Sequence, residues 1–272
     1  MQGRLSPMIN NHIQSFPFGY WQNEFELLPT LGLNKIEWTL DQYLFDMNPL
    51  FNQSTKQIKS LTKKFDIEIT ALTGDFVMQD PFYKANKNFE EILQLQLLKA
   101  LNTMSIYGIK IFVFPLVDNG LPKSKIHLNR IFSFFKNFDK ELKKLDIQIA
   151  FESGLNPKKT MKFIDSLNKI GNYFFLNYDT GNSTSLGFNP IEEFELYNEL
   201  ILNIHIKDRI YGGSTVPLGN GDTKFNLISK LLEKYHYKNG ITLQIARARN
   251  NNHKKIIVDA IKFLRKVDII CD

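Results

Sequence analysis

Short β-branched or aromatic runs alternate with amphipathic stretches along the whole of this 272-residue chain, and few architectures accommodate that rhythm. The runs are MQGRL (1–5), KIEWT (35–39), IEITAL (67–72), KIFVF (110–114), IQIAFE (147–152), FFLNYD (174–179), ILNIHI (201–206) and ITLQIA (241–246). Each is followed by residues with helical periodicity. The clearest helix is predicted over 88–106, where Phe89, Ile92, Leu93, Leu97, Ala100, Leu101 and Met104 share a face; another is predicted over 253–267, with Ile256, Ile257, Ala260, Ile261, Leu264 and Val267. Several helices stop at glycine turns, as in LGLNK (31–35) and YGIK (107–110). A helix between successive strands carries the chain back to its starting end, so the strands are expected to run parallel. Eight repeats in this length suit a closed (β/α)8 barrel better than an open doubly wound sheet. With no linker, low-complexity tract or composition shift, the expectation is an α/β fold with one domain over 1–272. The first strand, which begins at Met1, carries the weakest signal.

Composition narrows the partners. A hydrophobic content of 43% permits a large core. Lys plus Arg outnumber Asp plus Glu by 34 to 28, a net charge of +6 that favours anionic partners such as sugar phosphates or nucleic acid. Clusters such as Lys56-Lys59-Lys63-Lys64 and Lys140-Lys143-Lys144 have the helical spacing of solvated faces. A single cysteine, Cys271, excludes a disulfide framework and a thiolate metal site. MQGRLSPMINN lacks the apolar core of a signal peptide, and no uninterrupted apolar run approaches the ~18 residues of a membrane span, so a cytoplasmic, membrane-free protein is expected.

Four residues close apolar runs: Glu152, Asp179, His205 and Gln244. Their separations of 27, 26 and 39 residues are each about one strand-plus-helix unit. Residues at the C-terminal ends of successive barrel strands converge on one mouth. Two carboxylates, an imidazole and an amide oxygen there compose a site for a hard-to-borderline divalent cation. Individually each has a bland explanation, a salt bridge for Glu152 and a satisfied core imidazole for His205; the set at one end of consecutive units is what points to a metal.

The two-residue strand period puts Lys207 on the face of His205. Asp208 and Arg209 start the next loop, and Arg247 starts the loop after Gln244. Lys207, Arg209 and Arg247 are candidates for an oxyanion or phosphate, or for ion pairs with nearby acids such as Asp208. Arg4 and Glu37, near the ends of the first two strands, are further candidate substrate contacts, with Asp208 and Asn182. The glycine-rich VPLGNGDTKF (216–225) could cradle an anion or merely shape a turn. His12, His127, His236 and His253 show no ligand spacing, and no Ser/His/Asp nucleophile arrangement emerges.

Together, IEW with the following Asp41, Glu152, YDTGN (178–182), HIKDR (205–209), PLGNGDTKF (217–225) and LQIARA (243–248) resemble the sugar phosphate isomerase/epimerase family of the xylose isomerase-like TIM barrel superfamily, over nearly the whole chain. The Asp-x-Gly-Asn and His-x-Lys-Asp forms are most similar to pentulose-phosphate 3-epimerases. The resemblance implies one divalent ion (Mn²⁺, Mg²⁺, Co²⁺ or Zn²⁺) held by a Glu, an Asp, a His and a second Glu; the first three match Glu152, Asp179 and His205. It also implies barrels that commonly pair as homodimers. The fourth ligand falls on Gln244, where this chain departs from the family pattern. In ketose 3-epimerases the two glutamates lie on opposite faces of the sugar, one removing and the other returning the proton. An amide can ligate a metal but cannot be that second base.

The expected function is therefore a divalent-metal-dependent isomerase or epimerase of a sugar or sugar phosphate, working through an enediolate. Glu152 is the expected general base, and Lys207 a group that could return the proton. The alternatives are a metal-dependent lyase or dehydratase on a keto-cyclitol or keto-acid, and a catalytically weakened sugar-binding homologue. A trinuclear zinc nuclease needs many strand-end ligands, and His205 is the only strand-end histidine, so nucleic acid is not the expected substrate.

Overall fold

The computed structural model describes residues 1–272 except 3, 10, 11, 13, 53, 249–251, 271 and 272; Cys271 thus lies outside the described residues. The seven-stranded parallel sheet contains β1 (Lys35–Thr39), β2 (Glu68–Thr73), β3 (Ile111–Leu116), β4 (Gln148–Ser153), β5 (Phe174–Asp179), β6 (Ile201–Ile206) and β9 (Gly240–Leu243), hydrogen-bonded in that order. Asp208–Arg209 (β7) and Thr215–Val216 (β8) form a separate small hairpin beyond β6. The principal helices between strands are α2 (Thr55–Phe65), α4 (Lys87–Tyr107), α5 (Lys125–Asn137), α7 (Pro157–Asn168), α9 (Pro190–Tyr197) and α10 (Phe225–Lys234). Helices α1 (Trp21–Leu27) and α11 (His253–Lys266) flank the series. Three shorter helices, α3 (Asp75–Gln79), α6 (Asp139–Leu145) and α8 (Thr180–Ser185), complete the set named here.

Of the expected eighth strand at 1–5, in which residue 3 lies outside the described residues, one described residue forms a bridge. Gln2 pairs in parallel with Glu37, and its amide donates to the Leu243 carbonyl at 3.1 Å, so the amino-terminal residues nearly close the barrel between β1 and β9. Leu5 has left the ladder: its N–H donates to Glu24 Oε2 at 3.1 Å instead of to a strand. The last strand is also shorter than 241–246. It ends at Leu243, although Gln244 N–H still donates to the Ile206 carbonyl at 3.0 Å.

Burial follows from the strand period. Trp38 faces the helical layer, against Phe16 and Trp21, while its neighbour Glu37 turns into the barrel. Between β3–β5 and the helices lies an aromatic layer in which Phe135 meets Phe114, Phe151 and Phe174 at centroid separations of 5.0–5.8 Å. Burying each such ring stabilises the fold by about 1.5–3 kcal/mol. Helix α4 buries Leu97, Ala100, Leu101 and Met104, but Phe89 and Ile92 on the same predicted face are exposed. A 21-residue helix is about 30 Å long and a six-residue strand about 20 Å, so the first turns overhang the barrel end.

Candidate metal centre and active site

Glu152, Asp179 and His205 sit within the last two positions of β4, β5 and β6, with Asp179 directly paired to His205 in the sheet. All three are buried, and one ligand atom from each lies within 4.8 Å of the others. Asp179 also caps α8: its Oδ1 accepts the Asn182 N–H at 2.7 Å. That fixes the carboxylate and leaves Oδ2 turned to the Lys207 ammonium, 3.0 Å away. Gly181 of YDTGN is required by this approach, because a Cβ there would come within 2.8 Å of the Lys207 side chain.

His205 is gripped from both sides. Its Nδ1 lies 3.0 Å from Glu152 Oε2, and its Nε2 lies 2.7 Å from Glu37 Oε1. Burial alone would lower its proton affinity, but the charge of Glu37 and the hydrogen bonds to both glutamates raise its pKa from 6.5 to about 10. Burial also works against an ionised Glu37; His205 and the Thr73 hydroxyl, 2.6 Å away, nevertheless hold it at about 2. When protonated, His205 can donate through both ring nitrogens, one to each glutamate.

A polar layer lies beneath the mouth. Asn177 Nδ2 donates to Glu152 Oε2 at 2.8 Å, and Asn203 Nδ2 donates to Glu37 Oε2 at 3.0 Å and to Asn177 Oδ1 at 2.8 Å. Gln2 adds a donor to Glu37 Oε1 at 3.1 Å. Buried carboxylates are tolerated where donors surround them, as here. Register shifts in the sheet fall at Ile36/Glu37 and Leu176/Asn177, where they re-aim two members of this layer.

The donor set fits a divalent cation. Two carboxylates and an imidazole are already clustered, and the buried Gln244 Oε1 has no hydrogen-bond partner among the described residues. An amide oxygen buried without a donor is costly, and a cation is one group that would satisfy it.

The other candidate residues divide by position. Asn182 Nδ2 donates to Glu152 Oε1 at 2.6 Å, and its Oδ1 accepts from Arg209 Nη1 at 2.8 Å, so both border the cluster. Glu37 lies one layer below, on His205. Arg4 is buried, with Nε on the Ile245 carbonyl at 2.8 Å and Nη2 on Gln2 Oε1 at 2.6 Å. Arg247 binds Ser6 Oγ at 3.0 Å and the Ser15 carbonyl at 2.7 Å; burial, then the neighbouring Arg4, lower its pKa to about 9. Asp208 accepts the N–H groups of Gly219, Gly221 and Thr223 at 2.8, 2.9 and 3.2 Å. The amides of the glycine-rich segment are thus directed at an internal carboxylate rather than at an external anion.

A family model described as xylose isomerase-like TIM barrel matches residues 25–267. The chain belongs to this family. The family's barrel is also evident in solved structures. A xylose isomerase domain protein from Planctomyces limnophilus aligns with a TM-score of 0.75 at 14% identity, covering 89% of this chain and 91% of that one. An IolI protein with a bound zinc atom gives 0.71 at 16%, covering 91% and 92%. A D-allulose 3-epimerase from Methylomonas sp., in complex with D-allulose, gives 0.70 at 14%, covering 90% of each. At such identities the likeness is one of fold. A comparison with curated proteins found no match.

Sequence reasoning missed Asn177 and Asn203. Both were within reach, since each lies two residues before a candidate ligand and so shares its inward face. No helix among the described residues is long and apolar enough to cross a membrane.

Proposed function

We propose that this protein is a divalent-metal-dependent isomerase or epimerase acting on a sugar or sugar phosphate through an enediolate. The observation that carries the reading is the buried Glu152–Asp179–His205 cluster, together with the orphaned amide oxygen of Gln244, whose backbone is bonded to the end of β6. Those four residues would hold the ion. Bound there, it would polarise a substrate carbonyl and acidify the adjacent C–H.

Glu152 is the base in this scheme. Its carboxylate is oriented by Asn177, Asn182 and His205, so its position is fixed before a substrate arrives. It takes the proton from the carbon beside the carbonyl. The Lys207 ammonium and the Arg209 guanidinium bring positive charge to the rim where the enediolate's negative charge grows. Glu152 acting alone moves the proton on one face, which suffices for aldose–ketose isomerisation. Inversion needs a second group, and Lys207 is the one that the strand period suggests.

The test combines metal analysis with proton exchange. The protein is loaded with Mn²⁺ or Mg²⁺ and incubated in D₂O with D-allulose, D-fructose or L-ribulose. Deuterium uptake at the carbon beside the carbonyl, detected by NMR, is expected. Glu152→Gln should slow uptake about 100-fold or more at Mn²⁺ concentrations high enough to keep the site loaded. Near-wild-type exchange by this variant overturns the assignment of Glu152. Loss of water from a keto-cyclitol, seen by mass, would replace isomerisation with β-elimination. Failure to retain any divalent ion would leave a sugar-binding protein.

A further inference from the structure

The side chains around the proposed base close into one hydrogen-bonded ring. From Glu152 Oε2 it runs to His205 Nδ1 at 3.0 Å, and from His205 Nε2 to Glu37 Oε1 at 2.7 Å. It leaves Glu37 by Oε2, which accepts from Asn203 Nδ2 at 3.0 Å. The same Asn203 nitrogen donates to Asn177 Oδ1 at 2.8 Å, and Asn177 Nδ2 returns to Glu152 Oε2 at 2.8 Å. Every member is buried. The ring joins β1, β4, β5 and β6, and Asn177 and Asn203 are paired directly in the sheet, two residues before the Asp179–His205 pair.

This ring admits one orientation of its two amides. A carboxylate only accepts, so Asn203 must present its NH₂ group, not Oδ1, to Glu37. That NH₂ group also lies against Asn177, which must answer with Oδ1 and turn its own NH₂ to Glu152. Reversing Asn203 would set a carbonyl oxygen against Glu37 Oε2; reversing Asn177 with it would set another against Glu152 Oε2, and buried acceptors left facing one another are costly. Asn203 therefore dictates which group Asn177 offers to the base. The ladder makes room for it at Gly240, its partner on β9, where a Cβ would come within 3.2 Å of Asn203 Oδ1. Other contacts hold the rest of the ring: Gln2 and Thr73 donate to Glu37 Oε1, and Asn182 donates to Glu152 Oε1. His205 is itself a proposed ligand of the ion, so its contact with Glu152 competes with metal binding. The amide contact from Asn177 does not.

We propose that Asn203 is a positioning residue for proton transfer: by fixing the amide of Asn177, it holds the Glu152 carboxylate at the angle from which the substrate proton is taken. This rests on the isomerase/epimerase reading above. Asn203 transfers no proton itself and acts through Asn177. Its loss keeps the proposed ion ligands in place but opens the ring, and the Glu152 carboxylate is then free to turn. A misplacement of about 1 Å at a reacting group costs on the order of 100-fold in rate. The loss should therefore appear in the rate at saturating sugar rather than in KM.

The decisive experiment asks whether Asn203 matters only while Glu152 is present. Deuterium uptake from D₂O into D-allulose, D-fructose and L-ribulose is followed by NMR in Mg²⁺-loaded wild-type protein, in Asn203→Leu, which has similar volume and no donor, and in Asn203→Ala. Expected for both variants is exchange slowed about 10- to 100-fold at saturating sugar, with KM within about threefold of wild type and Mg²⁺ content unchanged. In a Glu152→Gln background the same changes should slow the residual exchange less than about twofold, whereas a merely structural role would slow both backgrounds alike. Adding Asn203→Ala to Asn177→Ala should likewise change the rate less than about twofold. Slowing of less than about threefold in both variants, a loss confined to KM, or equal slowing in the Glu152→Gln background overturns the positioning role. Failure of both variants to fold also overturns it, by making Asn203 a structural residue. Each of these outcomes leaves the isomerase reading intact. An absence of exchange in wild type with all three sugars overturns both.

Discussion

Glu37→Gln tests the buried charge pair on which the proposed centre rests. The substitution keeps the side chain's shape and removes its charge from His205, 2.7 Å away. At about 1.4 kcal/mol per factor of ten in proton affinity, raising His205 from 6.5 to about 10 corresponds to about 5 kcal/mol. Lowering Glu37 from 4.5 to about 2 corresponds to about 3 kcal/mol. The two figures disagree because His205 also bonds Glu152, and they describe a shared contact, so they are not added. The smaller is the better measure of Glu37 alone, and it agrees with the 3–5 kcal/mol typical of breaking a buried ion pair, roughly. The sign follows from linkage. The contribution of His205, whose folded pKa is raised, is complete below 6.5 and lost as pH rises through about 10. That of Glu37, whose folded pKa is depressed, is present above 4.5 and lost as pH falls through about 2. The full advantage therefore spans pH 4.5 to 6.5. Thermal unfolding of EDTA-treated protein, followed by tryptophan fluorescence, reads it. In a chain of this size about 3 kcal/mol should lower the melting temperature by roughly 6–12 °C at pH 5.5, and the gap should shrink by about half or more at pH 9. A gap under about 2 °C at pH 5.5, or one equally large at pH 9, would refute the reasoning.

Gln244→Glu should tighten Mn²⁺ binding about tenfold or more in calorimetry, because a charged ligand replaces an amide; unchanged affinity would show that position 244 does not reach the ion. Asp208→Ala strips three backbone N–H groups, one buried and two partly buried, of their acceptor. The loss should destabilise the protein by about 1–3 kcal/mol and expose 217–224 to limited proteolysis; a loop that remains protease-resistant would mean that Asp208 does not anchor it.

Sequence periodicity alone determined the parallel barrel. It placed KIEWT, FFLNYD and ILNIHI at the boundaries that the structure shows for β1, β5 and β6. It also gathered Glu152, Asp179 and His205 at one end of the sheet. These features are local, because a period of two or of 3.6 is written in neighbouring residues. Tertiary structure decided what such patterns cannot encode. Among the described residues the strand expected at 1–5 survives only at Gln2, and Leu5 gives its N–H to Glu24 rather than to a ladder. Glu37 and His205, 168 residues apart in the chain, become one ion pair only when β1 and β6 face each other across the barrel. Asp208, a candidate substrate contact in the sequence, and the glycine-rich loop, a candidate anion cradle, consume one another. Whether a charged side chain serves a ligand or a neighbour depends on which buried groups need a partner, and that is settled only when distant strands are brought together.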